Sequence, residues 1–151
     1  MRYFLDCEYD GFGGPLLTLA LVPEDGSEEY YAVLDHARPL TDWVERHVAP
    51  YFDHVPAMLR REPQPAADVA RDLSAWLAGL SEVEIVADWP EDLALFCRLL
   101  VTGNGEVVDM PPLSLRWLRT PGFSTARNSA VPHNALHDAR ALRDHVVSHL
   151  D

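Results

Sequence analysis

The sequence predicts a mixed α/β sheet covered by helices, and two features of its order carry that prediction. Three strand-like apolar runs separated by turn residues come first, and the hydrophobic period then becomes helical and alternates with further strand-like runs. No composition shift divides the 151 residues, so residues 1–151 read as one domain.

Residues 2–6 are apolar and aromatic and run into Cys7-Glu8-Tyr9-Asp10-Gly11-Phe12-Gly13-Gly14, which reads as a strand ending in a tight loop. A second apolar run at residues 16–22 stops at Pro23-Glu24-Asp25-Gly26, and residues 28–34 give a third, rich in tyrosine and aliphatics. Strand, turn, strand, turn, strand predicts an antiparallel meander. After Pro65, Val69, Leu73, Trp76, Leu77 and Leu80 recur at helical spacing and predict a helix with one apolar face. Residues 83–87 form a fourth strand, and Leu93, Phe96, Leu99 and Leu100 mark a helix stopped by Gly103-Asn104-Gly105. A short fifth strand is expected at residues 106–110, before Pro111-Pro112, and Ala139, Leu142, Val146, Val147 and Leu150 mark the last helix. Residues 55–65 and 120–132 have no period and read as loops, the second as a lid ahead of His133. Trp76 and Trp117, each among apolar neighbours, are expected in the core.

Hydrophobic residues make up 48% and charged residues 24%, a globular balance, and a chain of this size buries about 68 to 70% of its unfolded surface. Two cysteines, Cys7 and Cys97, without a CxxC pair favour a reducing compartment over a disulfide framework. Acids interrupt the N-terminal segment where a signal peptide needs an apolar stretch, and no run reaches the roughly 18 apolar residues of a membrane span. The expectation is a cytoplasmic protein with no membrane partner. Twelve basic against 24 acidic residues give a net charge of −12, which argues against a passive coat for nucleic acid. An enzyme that meets phosphates through metal ions is not excluded, because divalent cations reverse the local sign.

The acids gather in three places. Asp6 and Glu8 are one residue apart at a strand end, so both side chains share a face, where they repel unless a proton or cation intervenes. Solvated turn chemistry is the ordinary explanation for such a pair. Asp88, Glu91 and Asp92 follow the fourth strand at the carboxyl edge of the sheet, where open α/β folds place their sites, although helix capping accounts equally for any one of them. His133-Asn134-Ala135-Leu136-His137-Asp138 opens the last helix. It is either a solvated helix start or an Asp ligand with a histidine a turn away, placed as a general base beside a metal-activated water.

Taken in order, Asp6-x-Glu8, Asp92 at the head of an apolar helix and His133-x-x-x-x-Asp138 resemble the DEDDh 3′-to-5′ exonucleases of the ribonuclease T and oligoribonuclease type. The short length and the start Met-Arg-Tyr-Phe-Leu-Asp look most like a compact exoribonuclease branch. The resemblance implies a ribonuclease H-like fold, with two Mg²⁺ or Mn²⁺ ions held by Asp6, Glu8, Asp92 and Asp138. It also implies two-metal hydrolysis releasing nucleoside monophosphates from single-stranded RNA 3′ ends, His133 being the general base and Glu8 a catalytic ligand. Asp88 and Asp92 compete for the second position, and Asp92 is taken because it leads directly into the helix. Phe12 falls where the family keeps an apolar residue that meets the terminal bases, and Gly11 closes Tyr9-Asp10-Gly11, which replaces the family's Thr-Thr-Gly. Homodimers are frequent among relatives.

Three other readings stand beside this one. A zinc hydrolase would use His133 and His137, but Asn134 stands where the HExxH motif needs Glu. A non-catalytic member of the fold would bind RNA or a protein partner, and a DNA-preferring exonuclease would lack a partner for the ribose 2′-OH. Arg127, with Arg60 and Arg61, is a candidate contact to the nucleic-acid backbone, solvated surface being the ordinary alternative.

Overall fold

The computed structural model describes residues 1–149. The meander forms as β1 (Arg2–Tyr9), β2 (Leu16–Pro23) and β3 (Tyr30–Val33), with β1 three residues longer than the apolar run suggested. A short helix α1 (Asp42–His47) follows, then α2 (Ala66–Leu77), β4 (Val83–Ala87) and α3 (Pro90–Leu100). The chain continues through β5 (Val101–Gly103), β6 (Glu106–Val107), β7 (Leu113–Trp117), α4 (Thr125–Asn128) and α5 (Ala135–His149). Five strands make one sheet in the order β3-β2-β1-β4-β7. β2 is antiparallel to β1 and β3, whereas β4 runs parallel to both β1 and β7. The carboxyl ends of β1, β4 and β7 therefore share one edge, and the segments leading into α3 and α5 start from that edge.

The two-residue period of the strands sorts the core into two layers. Tyr3, Leu5 and Cys7 of β1, with Ile85 and Ala87 of β4, pack against Val69, Leu73 and Leu77 of α2 and Phe96 of α3. The alternate residues face α5: Phe4 and Val86 meet Leu142 and Val146, and Ala20 and Val22 meet Ala135, Leu136 and Ala139. Asp6 and Glu8 share the parity of Phe4, so β1 directs them to the side that α5 covers. Trp76 is packed as expected, its ring 5.3 Å from that of Tyr3 and 5.2 Å from that of Tyr30.

Several expectations are corrected. The fifth strand of the sheet is β7, beyond Pro111-Pro112; Glu106 and Val107 instead pair with β5 in a separate two-stranded ribbon. Proline has no N–H to give a ladder, but its carbonyl can accept, and Val83 N–H bonds to Pro112 O at 2.9 Å where the β4–β7 pair begins. Gly103-Asn104-Gly105 is accordingly the turn of the ribbon, with Gly105 at φ 72°, and α3 ends before it at Leu100. Trp117 is 54% exposed rather than core, because β7 is the sheet's outer strand and its apolar residues have no neighbour beyond. Val147 is also exposed, and Leu150 lies outside the described residues. The segment 120–132 contains α4, and α1 carries no apolar repeat long enough to announce it. No described helix is long and apolar enough to cross a membrane.

Leu73 is fully buried between α2 and the sheet, so Leu73→Ala should cost about 2–5 kcal/mol in urea denaturation. Val147→Ala, on the exposed side of α5, should stay within about 0.5 kcal/mol of the parent.

Candidate active site

At the carboxyl edge three elements converge. β1 delivers Asp6, which is buried, and Glu8, which is half-buried. α3 starts with Pro90 in its first turn, where a missing N–H costs no helix bond, and this turn holds Asp92 only 3% exposed. α5 brings Asp138 into its own first turn, also 3% exposed. The start of α5 is locked by Asn134, whose Oδ1 accepts from the N–H groups of Leu136 (3.1 Å) and His137 (3.3 Å). The Asn134 amide Nδ2 donates to Tyr51 O at 2.8 Å, tying α5 to the turn after α1. His133 just before it has φ 67°, a left-handed conformation that a non-glycine residue adopts only when its surroundings hold it. Its backbone N–H donates to Asp138 Oδ2 at 3.1 Å.

These bonds gather the ordered acids. Ligand atoms of Glu8, His133 and Asp138 lie within 4.8 Å of one another. Burial, then Asp92, Glu8, Asp138 and Asp88, push the Asp6 carboxyl well above the ordinary range. Burial and Asp138 raise Glu8 to about 8, and burial with Asp88, Glu8, Glu91 and Asp138 raises Asp92 to about 8. Asp138 rises less, to about 6, since Ser129 and the His133 N–H partly offset its burial. Among the described residues no arginine pairs with any of the four. Asp6 Oδ2 and Asp138 Oδ1 are buried with no hydrogen-bond donor. Buried carboxylate oxygens without donors or countercharge are what an oxygen-coordinated divalent cation requires, so the donor set fits Mg²⁺ or Mn²⁺.

Asp88 belongs to the same cluster electrostatically, half-buried and raising the carboxyls of Asp6, Asp92 and Asp138, while Asp92 is the more deeply enclosed. His137 turns away, its Nε2 donating to His54 O at 2.8 Å, and so does not join His133 in the pair that the zinc reading needs. Burial and neighbouring His47 lower the pKa of His133.

The rim of the site is aromatic. Phe12 is fully exposed on a loop turned by Gly11 at φ 77° and fastened by Gly13 N–H to Glu91 Oε1 at 3.2 Å. Asp10 Oδ1 accepts from Thr41 N (2.9 Å) and Oγ1 (2.8 Å), joining this loop to α1. That contact brings in Trp43 and His47, which the sequence reading missed. The Trp43 ring is edge-on to His133 at 5.0 Å and tilted against His47 at 5.0 Å. The available signal was their spacing of four on one helical face. His47, Tyr51, His54 and Pro132 join His133 in lining a cavity of about 420 Å³. Arg127 lies outside the cluster, exposed, with its guanidinium on Gly122 O at 3.2 Å. Arg61 faces a separate cleft with Tyr30 and Met58, and Arg60 is exposed in the same segment.

No protein-family model and no curated protein matches the sequence. Solved structures do match in shape. The nuclease domain of 3'hExo, a DEDDh family member solved bound to rAMP, superposes with a TM-score of 0.66 at 11% identity, covering 99% of this chain and 90% of that one. Exonuclease X, solved with 5′ overhanging duplex DNA, gives 0.53 at 17% identity, covering 99% and 93%. The chain therefore has the ribonuclease H-like fold of the DEDDh exonuclease domains, as its resemblance implied.

Two outcomes test this geometry. The raised carboxyls hold their protons to higher pH when folded than the ordinary value of about 4. Folding is thus favoured while they are protonated, and the advantage is lost as pH climbs through about 6 for Asp138 and about 8 for Glu8 and Asp92. In EDTA the melting temperature should fall across that window, and Asp92→Asn should flatten the fall. Asn134→Ala should cost about 1 kcal/mol or more in denaturant titration, from loss of the cap and of the Tyr51 contact.

Proposed function

We propose that residues 1–151 form one metal-dependent 3′-to-5′ exonuclease domain that releases nucleoside monophosphates from single-stranded 3′ ends, with RNA preferred over DNA. The observation that carries the reading is the group formed by Glu8, His133 and Asp138, within 4.8 Å, beside donor-less buried oxygens of Asp6 and Asp138. The fold shared with the DEDDh domains supports it, and the likeness to a domain bound to rAMP favours RNA.

Asp6, Glu8, Asp92 and Asp138 are the proposed ligands of two Mg²⁺ or Mn²⁺ ions. Bound there, such ions supply neutralisation of the scissile phosphate and activation of water. His133 takes the proton of the attacking water as the water oxygen bonds to phosphorus and the bond to the 3′ oxygen of the preceding nucleotide breaks. That oxygen leaves and is protonated from solvent. Because burial and His47 hold the pKa of His133 below its ordinary value of 6.5, the imidazole is neutral and able to accept at pH 7. Trp43, edge-on to the ring, restricts its orientation. Phe12 and Gly11 meet the terminal nucleotide from the loop after β1.

The test is a time course on 5′-labelled single-stranded RNA and matched DNA with Mn²⁺, Mg²⁺ or EDTA. A metal-dependent ladder shortening from the 3′ end is expected, and His133→Ala should slow it by about 10²–10⁴-fold. Its acid limb should lie below pH 6.5. No cleavage of either strand by folded protein would leave the binding-module reading. Mn²⁺ should raise the melting temperature, and Asp6→Asn should blunt the rise; an undiminished rise would remove Asp6 from the site.

A further inference from the structure

Among the described residues the exposed phenylalanine and tryptophan side chains are Phe12, Trp43, Trp89 and Trp117, and all four stand at the carboxyl edge of the sheet. Phe12 and Trp43 lie on the β1 and α1 side of the acids. Trp89 and Trp117, 56% and 54% exposed, stand where β4 gives way to α3, to which Gly13 N–H fastens the Phe12 loop, and where β7 ends. The Trp117 indole N–H donates to Asp88 O at 3.1 Å, so its polar edge is fixed while much of its surface stays open to solvent. Trp89 directly follows Asp88 in the chain.

That anchor borders the acid cluster, since Asp88 acts on Asp6 and Asp92. Arg116 and Arg119, on either side of Trp117 in the chain, make no hydrogen bond or ion pair among the described residues, in a molecule of net charge −12. Exposed aromatic faces and uncommitted guanidinium groups in one segment are the features that hold single-stranded nucleic acid, because every base has a face to stack and every linkage a charge to neutralise.

We infer that Trp89 and Trp117 form a stacking subsite for the bases of the nucleotides 5′ to the scissile phosphate, with Arg116 and Arg119 beside their phosphates. This rests on the exonuclease reading. The strand would enter over the β7 flank, cross the acids and end against Phe12 on the β1 flank.

The test compares a single-stranded decamer, which reaches the subsite, with thymidine 5′-(p-nitrophenyl phosphate), which fills only the terminal position. Trp117→Ala should lower the ratio of kcat/KM for the decamer to that for the ester about tenfold, and Trp117→Phe should restore most of it. An unchanged ratio in Trp117→Ala and in Trp89→Ala overturns the subsite. Binding is read separately by decamer quenching of tryptophan fluorescence in His133→Ala. If neither substrate is cleaved, the exonuclease reading fails. The subsite then stands if Trp117→Ala in that background weakens decamer binding about tenfold, and falls if affinity is unchanged.

Discussion

Mutual repulsion among buried carboxylates is the constraint on which this structure turns. Asp6, Glu8, Asp92 and Asp138 come from three elements far apart in sequence, and each is harder to ionise because it is buried and because neighbouring acids are near, Asp88 in the case of Asp138. Such a cluster costs stability unless a cation or protons compensate, so the surrounding bonds have to keep it assembled. The Asn134 cap, the His133 N–H to Asp138 and the Gly13 N–H to Glu91 are local bonds that fasten loops and helix starts around it. Two of them restrain the backbone of the residues that would do chemistry.

The sheet supplies the geometry. β1, β4 and β7 run in one direction, which sends their carboxyl ends to a common edge, as in other open α/β sheets whose sites form there. The alternating direction of side chains along β1 then separates tasks: Tyr3, Leu5 and Cys7 enter the core beneath α2 and α3, and Asp6 and Glu8 emerge on the face of α5. One strand therefore anchors the fold and presents half of the acids. The strongly acidic composition has its counterpart in this edge, where exposed aromatic side chains stand around the negative centre. A nucleic-acid chain could be held there by stacking and by cations, without a broad basic surface.

Much of this was legible in the chain. The acids and His133 stand at strand ends and helix starts, whose positions follow from local turn, cap and period signals, and the structure brings them together. Asp92 leads its helix as expected, and the meander forms where the turns predicted. Trp43 and His47 were not legible, because a six-residue helix has too little apolar repeat to announce itself and its place beside His133 depends on the distant Asp10–Thr41 contact. The outer strand was misread for a related reason: residues 106–110 and 113–117 have similar apolar character, and only pairing decides which one joins the sheet.

By itself, then, the sequence determined the classes of element, the parity of Asp6 and Glu8 and the identities of the ordered acids and histidine, since these depend on neighbours within a few residues. Tertiary structure alone decided how close the acids come, which of their oxygens lack donors, and which aromatic rings stay exposed. Those properties depend on strand order and on contacts between segments many residues apart, such as Asn134 with Tyr51 and Trp117 with Asp88. Local periodicity carries no information about such pairings, because the same alternating pattern serves a buried central strand and an exposed outer one.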